Sequence, residues 1–248
     1  MLYAIISDIH SNLEALQAVL RFLRRKPIRY WLVLGDIVGY GASPNEVVRL
    51  VQGLRRRFVV RGNHDRVAAG LDTWEDFNEV AARAIQWTRQ KLHPALRGFL
   101  RQLPIGPLPV PGGMVITHGC PRDEDAYVLE AQEALLNFEV TEAPIIWFGH
   151  THIPIIYRQT RSGKVQTIRI PCAHRVRIRL RPGERYMINP GSVGQPRDHC
   201  PLTSFCVMNP ATWTVTYYRL PYDIAKAQAR ILRAGLPAFL AQRLAYGL

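Results

Sequence analysis

The stretch Leu2-Tyr3-Ala4-Ile5-Ile6-Ser7-Asp8-Ile9-His10-Ser11-Asn12-Leu13-Glu14 decides how the rest of the chain is read. Residues 2–7 form an apolar run that reads as a buried strand ending at Asp8. Ser11-Asn12-Leu13-Glu14 has the pattern of a helix capping box, and Leu13, Leu16, Val19, Leu20 and Leu23 then recur at helical spacing. A second strand, Trp31-Leu32-Val33-Leu34, ends at Gly35-Asp36. Ser43-Pro44-Asn45-Glu46 again looks like a helix start, with Ser43 as the cap, Pro44 in the first turn and Glu46 closing the box. A third strand, Phe58-Val59-Val60-Arg61, ends at Gly62-Asn63. This β-α-β-α-β order predicts a layered α/β fold with polar loops at the carboxyl ends of its strands.

Further along, residues 73–103 read as mainly helical with breaks near Pro94 and Pro104. Val115-Ile116-Thr117 and Ile145-Ile146-Trp147-Phe148 are short strands on either side of a helix over 130–139. After residue 154 the pattern turns to β. Ile155–Arg158 and Val165–Ile170 flank a turn at Ser162-Gly163, Val176–Leu180 and Tyr186–Ile188 flank 181–184, and Phe205–Met208 and Trp213–Tyr218 flank 209–212. These segments predict a second, more antiparallel sheet. From Asp223 the chain reads as two short helices broken at Gly235-Leu236-Pro237, a helical extension over 223–248 of a single domain covering 1–248.

Composition narrows the setting. The chain has no apolar run long enough to cross a bilayer and begins without a basic leader, so no membrane partner and a cytoplasmic location are expected. Cys120, Cys172, Cys200 and Cys206 form no C-x-x-C pair and read as reduced thiols. The net charge is +13. Basic clusters lie at Arg21/Arg24/Arg25/Lys26, at Arg55-Arg56-Arg57 and at Arg175/Arg177/Arg179/Arg181. The last alternates with Val176, Ile178 and Leu180, as on the solvent face of a half-buried strand. Such charge suits a nucleic-acid surface or a solvated arginine-rich exterior, and in either case attracts anionic substrates.

Five apolar runs end in metal-type or acid/base residues: Asp8-Ile9-His10, Gly35-Asp36, Gly62-Asn63-His64-Asp65, His118-Gly119 and Gly149-His150-Thr151-His152. Five of the eight histidines sit in them. At the end of a strand, residues i and i+2 point the same way, so Asp8 with His10, and His150 with His152, can each face one ion. Asp36 has two carboxylate oxygens with which to bridge two cations, Asn63 offers an amide oxygen and His118 an imidazole. Two divalent cations, offset by two carboxylates and a bridging hydroxide, leave about +1 to attract a phosphate ester. Nitrogen and oxygen donors without thiolate favour Mn, Fe, Zn, Co or Ni, with Mn expected for activity. Two such ions can activate a shared water for an in-line displacement.

In this order the motifs resemble those of the calcineurin-like metallophosphoesterases: D-x-H, G-D, G-N-H-[DE], a later histidine and G-H-x-H. The segment Asn189-Pro190-Gly191-Ser192-Val193-Gly194-Gln195-Pro196-Arg197 is similar to the one that follows G-H-x-H in the small bacterial and archaeal phosphoesterases. The resemblance implies a four-layer αββα sandwich with mixed sheets and a dinuclear centre. Asp8, His10 and His152 would bind one metal, Asn63, His118 and His150 the other, and Asp36 would bridge. His64 would stand beside the leaving oxygen as the proton or charge partner, with a metal-bound hydroxide as nucleophile. Protein phosphatases of this superfamily carry an Asp-Arg pair after the bridging aspartate, where this chain has Gly39-Tyr40. That departure argues for a small phosphodiester or nucleotide over a phosphoprotein. Asp65 then orders the loop or a bond around the ligands. Asn12, Arg197 and Arg122 are candidate substrate contacts, and Tyr40 with 71–77 candidate pocket walls. His93, His174 and His199 are read as structural or exposed. A nuclease or RNA-processing phosphodiesterase and a metal-free interaction scaffold are the alternative functions, and both a nucleic-acid partner and a homo-oligomer stay open.

Overall fold

The first strand is buried on both faces. In the computed structural model, which describes residues 1–248, Ala4 and Ile6 of β1 (Leu2–Ile6) pack outward against helices, while Tyr3 and Ile5 pack inward against a second sheet. Two-sided burial explains why such strands read as continuous apolar runs. α1 (Leu13–Leu23), β2 (Ile28–Val33), α2 (Pro44–Gln52) and β3 (Arg57–Val59) complete the expected alternation. Three helices follow, α3 (Asn63–Ala69), α4 (Glu79–Lys91) and α5 (Pro94–Arg101), then β4 (Leu108–Val110), β5 (Met114–Ile116), α6 (Ala131–Phe138) and β6 (Ile145–Trp147). The β-rich part consists of β7 (Ile155–Gln159), β8 (Val165–Arg169), β9 (Arg175–Arg179), β10 (Arg185–Asn189), β11 (Thr203–Asn209) and β12 (Thr214–Leu220). α7 (Ile224–Arg233) and α8 (Ala238–Gln242) close the chain, separated at 235–237 as expected.

Two six-stranded mixed sheets result, ordered β3-β2-β1-β11-β12-β9 and β4-β5-β6-β10-β7-β8. Between them lies a core that includes Ile5, Leu32, Trp147, Ile188 and Tyr217. Outside the first sheet, α1, α2, α3 and α5 cover Ala4, Ile6, Val33, Phe205 and Val207. Outside the second, α6 contributes Ala134 and Phe138 over Ile146, Phe148 and Met187. The layers are therefore helix, sheet, sheet, helix. α7 and α8 form a smaller cluster with α4, using Ala227, Ile231 and Leu240 against Ala81, Ala84 and Tyr40. No helix is long and apolar enough to cross a membrane.

Several local expectations need correction. The segments after 154 do not build a sheet of their own: β7, β8 and β10 extend one sheet and β9, β11 and β12 the other. Segments 176–180 and 186–188 are not paired, because Leu180 and Tyr186 both face the inter-sheet core while their strands belong to opposite sheets. The cap of α1 is Asn12, whose side chain accepts from the Ala15 N–H, and not Ser11. Ser43 does sit at the start of α2, but its hydroxyl makes no cap bond.

The cysteine reading is also overturned. Cys172, in the loop before β9, and Cys200, in the loop after β10, form a disulfide, with Cα atoms 5.8 Å apart across a sequence separation of 28. No spacing motif announces this pair, since the two loops meet only through the tertiary fold. Cys120 and Cys206 are free and buried. Alkylation of the unfolded, unreduced protein should therefore label two thiols per chain, and labelling of four by mass spectrometry would remove the bridge.

Candidate metal centre

The carboxyl ends of β1, β2, β5 and β6 converge, because β1 runs parallel to β2 and β5 parallel to β6. The loops leaving these ends carry an unusual backbone. Asp8, His10, Asp36, His150 and His152 all have positive φ, between 46° and 66°. Non-glycine residues adopt this region at a cost of about 1–2 kcal/mol each. The side chains thus converge through left-handed turns beyond the strand ends, and not through the i, i+2 parity of an extended strand. Asn63 and His64 open helix α3, where an extended loop was expected.

The ring nitrogens show what the cluster is built for. His10 Nδ1 lies 3.1 Å from the Val38 carbonyl and His152 Nδ1 lies 2.6 Å from the Gln195 carbonyl. A carbonyl only accepts, so each Nδ1 carries the hydrogen and donates. In a neutral imidazole the other nitrogen then offers a lone pair. Those two nitrogens, His10 Nε2 and His152 Nε2, face each other at 3.0 Å. Two lone pairs at that distance repel, and a cation between them converts the repulsion into ligation. His118 Nδ1 likewise donates to Leu34 O at 2.8 Å, and its Nε2 faces His150 Nδ1 at 3.1 Å.

Asp36 joins the two pairs. Its Oδ2 lies 3.5 Å from His10 Nε2 and 3.4 Å from His118 Nε2, while Oδ1 accepts from the His64 N–H at 3.0 Å. Asp8 Oδ1 is 3.4 Å from His152 Nε2. Asp8, His10, Asp36 and His152 form one group with ligand atoms within 4.8 Å of one another, and Asp36, His118 and His150 form a second. Asn63 Oδ1 is buried without a hydrogen-bond partner beside them. The donor set therefore fits two divalent cations sharing Asp36.

Burial favours the neutral, ligand-competent imidazoles. It holds His10 and His152 well below the usual range and takes His150 down to about 3 and His64 down to about 4. Burial also presses on His118, but the adjacent Asp36 charge prevails and raises it to about 10. Asp36 is held well below the carboxylate range because the neighbouring histidines, His118 first, outweigh its burial. Asp8 is pushed up to about 7 by burial.

Around this floor opens a cleft of about 380 Å³. Tyr40, Phe77 and Tyr127 supply aromatic walls, and Tyr127 stacks on His150 at a centroid distance of 4.1 Å. His64 lies against Tyr40 (4.5 Å) and Phe77 (4.7 Å), and its Nδ1 is buried without a partner. A Cβ on Gly39 would stand 2.4 Å from that nitrogen, so the glycine makes room for the ring where a carboxylate would otherwise hold it. Arg197 reaches the cleft with its guanidinium 5.8 Å from the Tyr40 ring centre and 3.0 Å from Gln195 Oε1. Arg66 is engaged by Asp72, Glu124 and Asp125, and with Asp76 these carboxylates make the rim acidic.

The expected site residues thus fall into three groups. Asp8, His10, Asp36, Asn63, His118, His150 and His152 come together, and His64 and Arg197 line the same cleft. Asn12 is a correction: its amide caps α1 with one end and donates to Gly194 O with the other, at 2.8 Å, so it is committed to scaffolding. Arg122 is exposed and does not line the cleft. Asp65 orders the loop, accepting from the N–H groups of Ile37, Val38 and Gly62. Sequence reasoning missed Tyr127 and the Arg66 network; the acidic run 123–125 close after His118 was the available signal.

The segment 189–197 acts as the clasp. Ser192 Oγ and the Gly194 N–H both donate to Asp8 O, at 2.7 and 3.0 Å, and Gln195 O fixes the His152 tautomer. A Cβ at Gly194 would stand 1.8 Å from Ile9 O, so this approach excludes every other residue.

Comparison with known proteins agrees with this geometry. Residues 1–212 match the family model of the calcineurin-like phosphoesterase superfamily domain. An uncharacterized protein of Methanocaldococcus jannaschii is 37% identical over 98% of this chain and 97% of its own length. A metallophosphoesterase from Sphaerobacter thermophilus is 38% identical with a TM-score of 0.87, covering 100% of this chain and 99% of that one. A hypothetical protein from Pyrococcus horikoshii shares the fold at 22% identity and a TM-score of 0.80, covering 100% and 98% of the two chains. With the family model spanning most of its length, this chain belongs to the calcineurin-like phosphoesterase superfamily.

Proposed function

We propose that this protein is a dinuclear, metal-dependent phosphodiesterase acting on a small phosphodiester or nucleotide. The observation that carries the reading is the opposed pair His10 Nε2 and His152 Nε2, linked through Asp36 to a second imidazole pair on the floor of a cleft. Two divalent cations held there by Asp8, His10, Asp36, Asn63, His118, His150 and His152 would supply Lewis acidity toward the phosphate and lower the pKa of a water. The chain's own groups do the rest. Arg197, which lines the cleft, would hold a phosphate oxygen. His64, whose ring lies against Tyr40 and Phe77 and whose Nδ1 has no partner, would serve the leaving oxygen. Tyr127 and Phe77 would wall the bound ester.

The preference for a diester rests on Tyr40, which stands where protein phosphatases of the superfamily carry the arginine that would help to hold a dianionic monoester. The acidic rim of Asp72, Asp76 and Asp125 repels long polyanions, which weakens the nuclease reading. A full ligand set weakens the scaffold reading. Nitrogen and oxygen donors without thiolate support Mn as the activating metal.

Three measurements test this. Manganese-loaded protein should hydrolyse an aryl phosphodiester faster than the matching monoester, and Asp36→Asn should abolish turnover; absence of turnover after remetallation would end the enzyme reading. His64→Asn should lower kcat about a hundredfold at unchanged metal content, whereas Arg197→Ala should act mainly on KM, by about tenfold. Metal loading near pH 7 should release between one and two protons per chain, seen by calorimetry in buffers of different ionisation enthalpy, because His118 and the half-protonated Asp8 must both give up protons to ligate.

A further inference from the structure

The charge of this molecule is strongly polarised. Four of its nineteen acidic residues fall in 72–79 and seven in 123–142, segments without a single lysine or arginine that include the rim of the cleft. The basic clusters lie elsewhere, at the end of α1, in the turn into β3 and on β9. On β9, the edge strand, Arg175, Arg177 and Arg179 are exposed while Val176, Ile178 and Leu180 point into the inter-sheet core. The arginines stand opposite Tyr218, Thr216 and Thr214 of β12.

Beside this strand runs a groove lined by Lys26, Arg175, Arg177, Asn209, Thr212 and Thr214 among others. Lys26 also borders a second groove, at the amino ends of β2 and β3, where Arg24, Arg29, Arg55 and Arg56 surround Trp31. Neither groove contains a carboxylate. None of these lysines and arginines takes part in an ion pair, although Arg61, Arg66, Arg158, Arg219 and Arg230 elsewhere all do. A solvated exterior interleaves both signs; here one sign is left uncompensated across two adjoining grooves.

Geometry and chemistry identify the partner. Alternate residues of a strand stand ~6.8 Å apart, so the three arginines make a linear row of cations about 14 Å long that can follow a phosphate backbone. The Thr216 hydroxyl and the Asn209 side-chain amide, on the neighbouring strands of the same groove, are further donors for phosphate oxygens. An anionic membrane would call for apolar anchors, and none of the large exposed apolar side chains lines either groove. We infer that the β9–β12 face and the adjoining basic groove bind the sugar–phosphate backbone of a nucleic acid, without base readout, at a site separate from the cleft. The face holds the polymer, while the acidic rim keeps it out of the catalytic floor.

The test is fluorescence anisotropy with a short duplex and a single strand of equal length, titrated with salt. Wild-type protein should bind at about 50 mM salt, with log K falling linearly in log salt. Arg175→Glu/Arg177→Glu/Arg179→Glu should weaken binding at least tenfold and flatten the slope by about 2–3. The milder Arg-to-Gln triple should show a smaller loss in the same direction, with an unchanged melting curve excluding misfolding. Arg83→Glu/Lys91→Glu/Arg233→Glu changes net charge equally on α4 and α7 and should retain most of the affinity. Equal losses in the two Glu triples, no wild-type binding at low salt, or binding to phosphatidylserine vesicles but not to either nucleic acid would each overturn the inference.

Discussion

Two imidazole nitrogens that can only accept are held 3.0 Å apart by backbone carbonyls behind them. In the neutral pair the lone pairs stand opposed, and a cation that both nitrogens ligate relieves the opposition. The carbonyls of Val38 and Gln195 set the ring orientation, and each comes from a different loop. The same device recurs at His118, where Leu34 O sets the tautomer. These carbonyls decide which nitrogen of each candidate ligand is free to face a cation.

Five of the seven candidate ligands have left-handed backbones. At about 1–2 kcal/mol each, that strain is comparable to the whole net stability of many domains. It is sustained because both sheets are clamped by a shared core and because the clasp at 189–197 bonds directly to the strained turns. Asp65 contributes from the other side, tying the amides after Asp36 to the start of α3. The rigid parts of the fold hold the turns, and the turns hold the ligands.

Much of this was legible in the sequence, for a physical reason. Strands buried on both faces are apolar throughout, so β1, β2 and β6 announce themselves, and histidines beyond them have no packing role to explain their presence. The residues that cluster could be named, but the geometric argument from strand parity did not survive, since left-handed turns leave no residue pattern when the residues are Asp and His. Which sheet each late strand joins was illegible because Val176, Ile178 and Leu180 suit either one. The Cys172–Cys200 pairing was equally hidden, as it depends on two loops meeting. Asn12 looked available because a cap and a substrate donor use the same amide, and only the observed partners separate them.

The clasp has a consequence for how the protein is made. Ser192 bonds to Asp8 across 184 positions and Asn12 to Gly194 across 182. β1 likewise pairs on one side with β2 and on the other with β11. A ribosome-bound chain that has emerged only through the histidines at 150 and 152 already possesses every ligand, yet lacks the carbonyl that orients His152 and the bonds that hold Asp8. Contacts of such sequence separation form late and slowly. Nascent chains should therefore reach their full metal affinity only after the last third of the sequence has been synthesised and folded back.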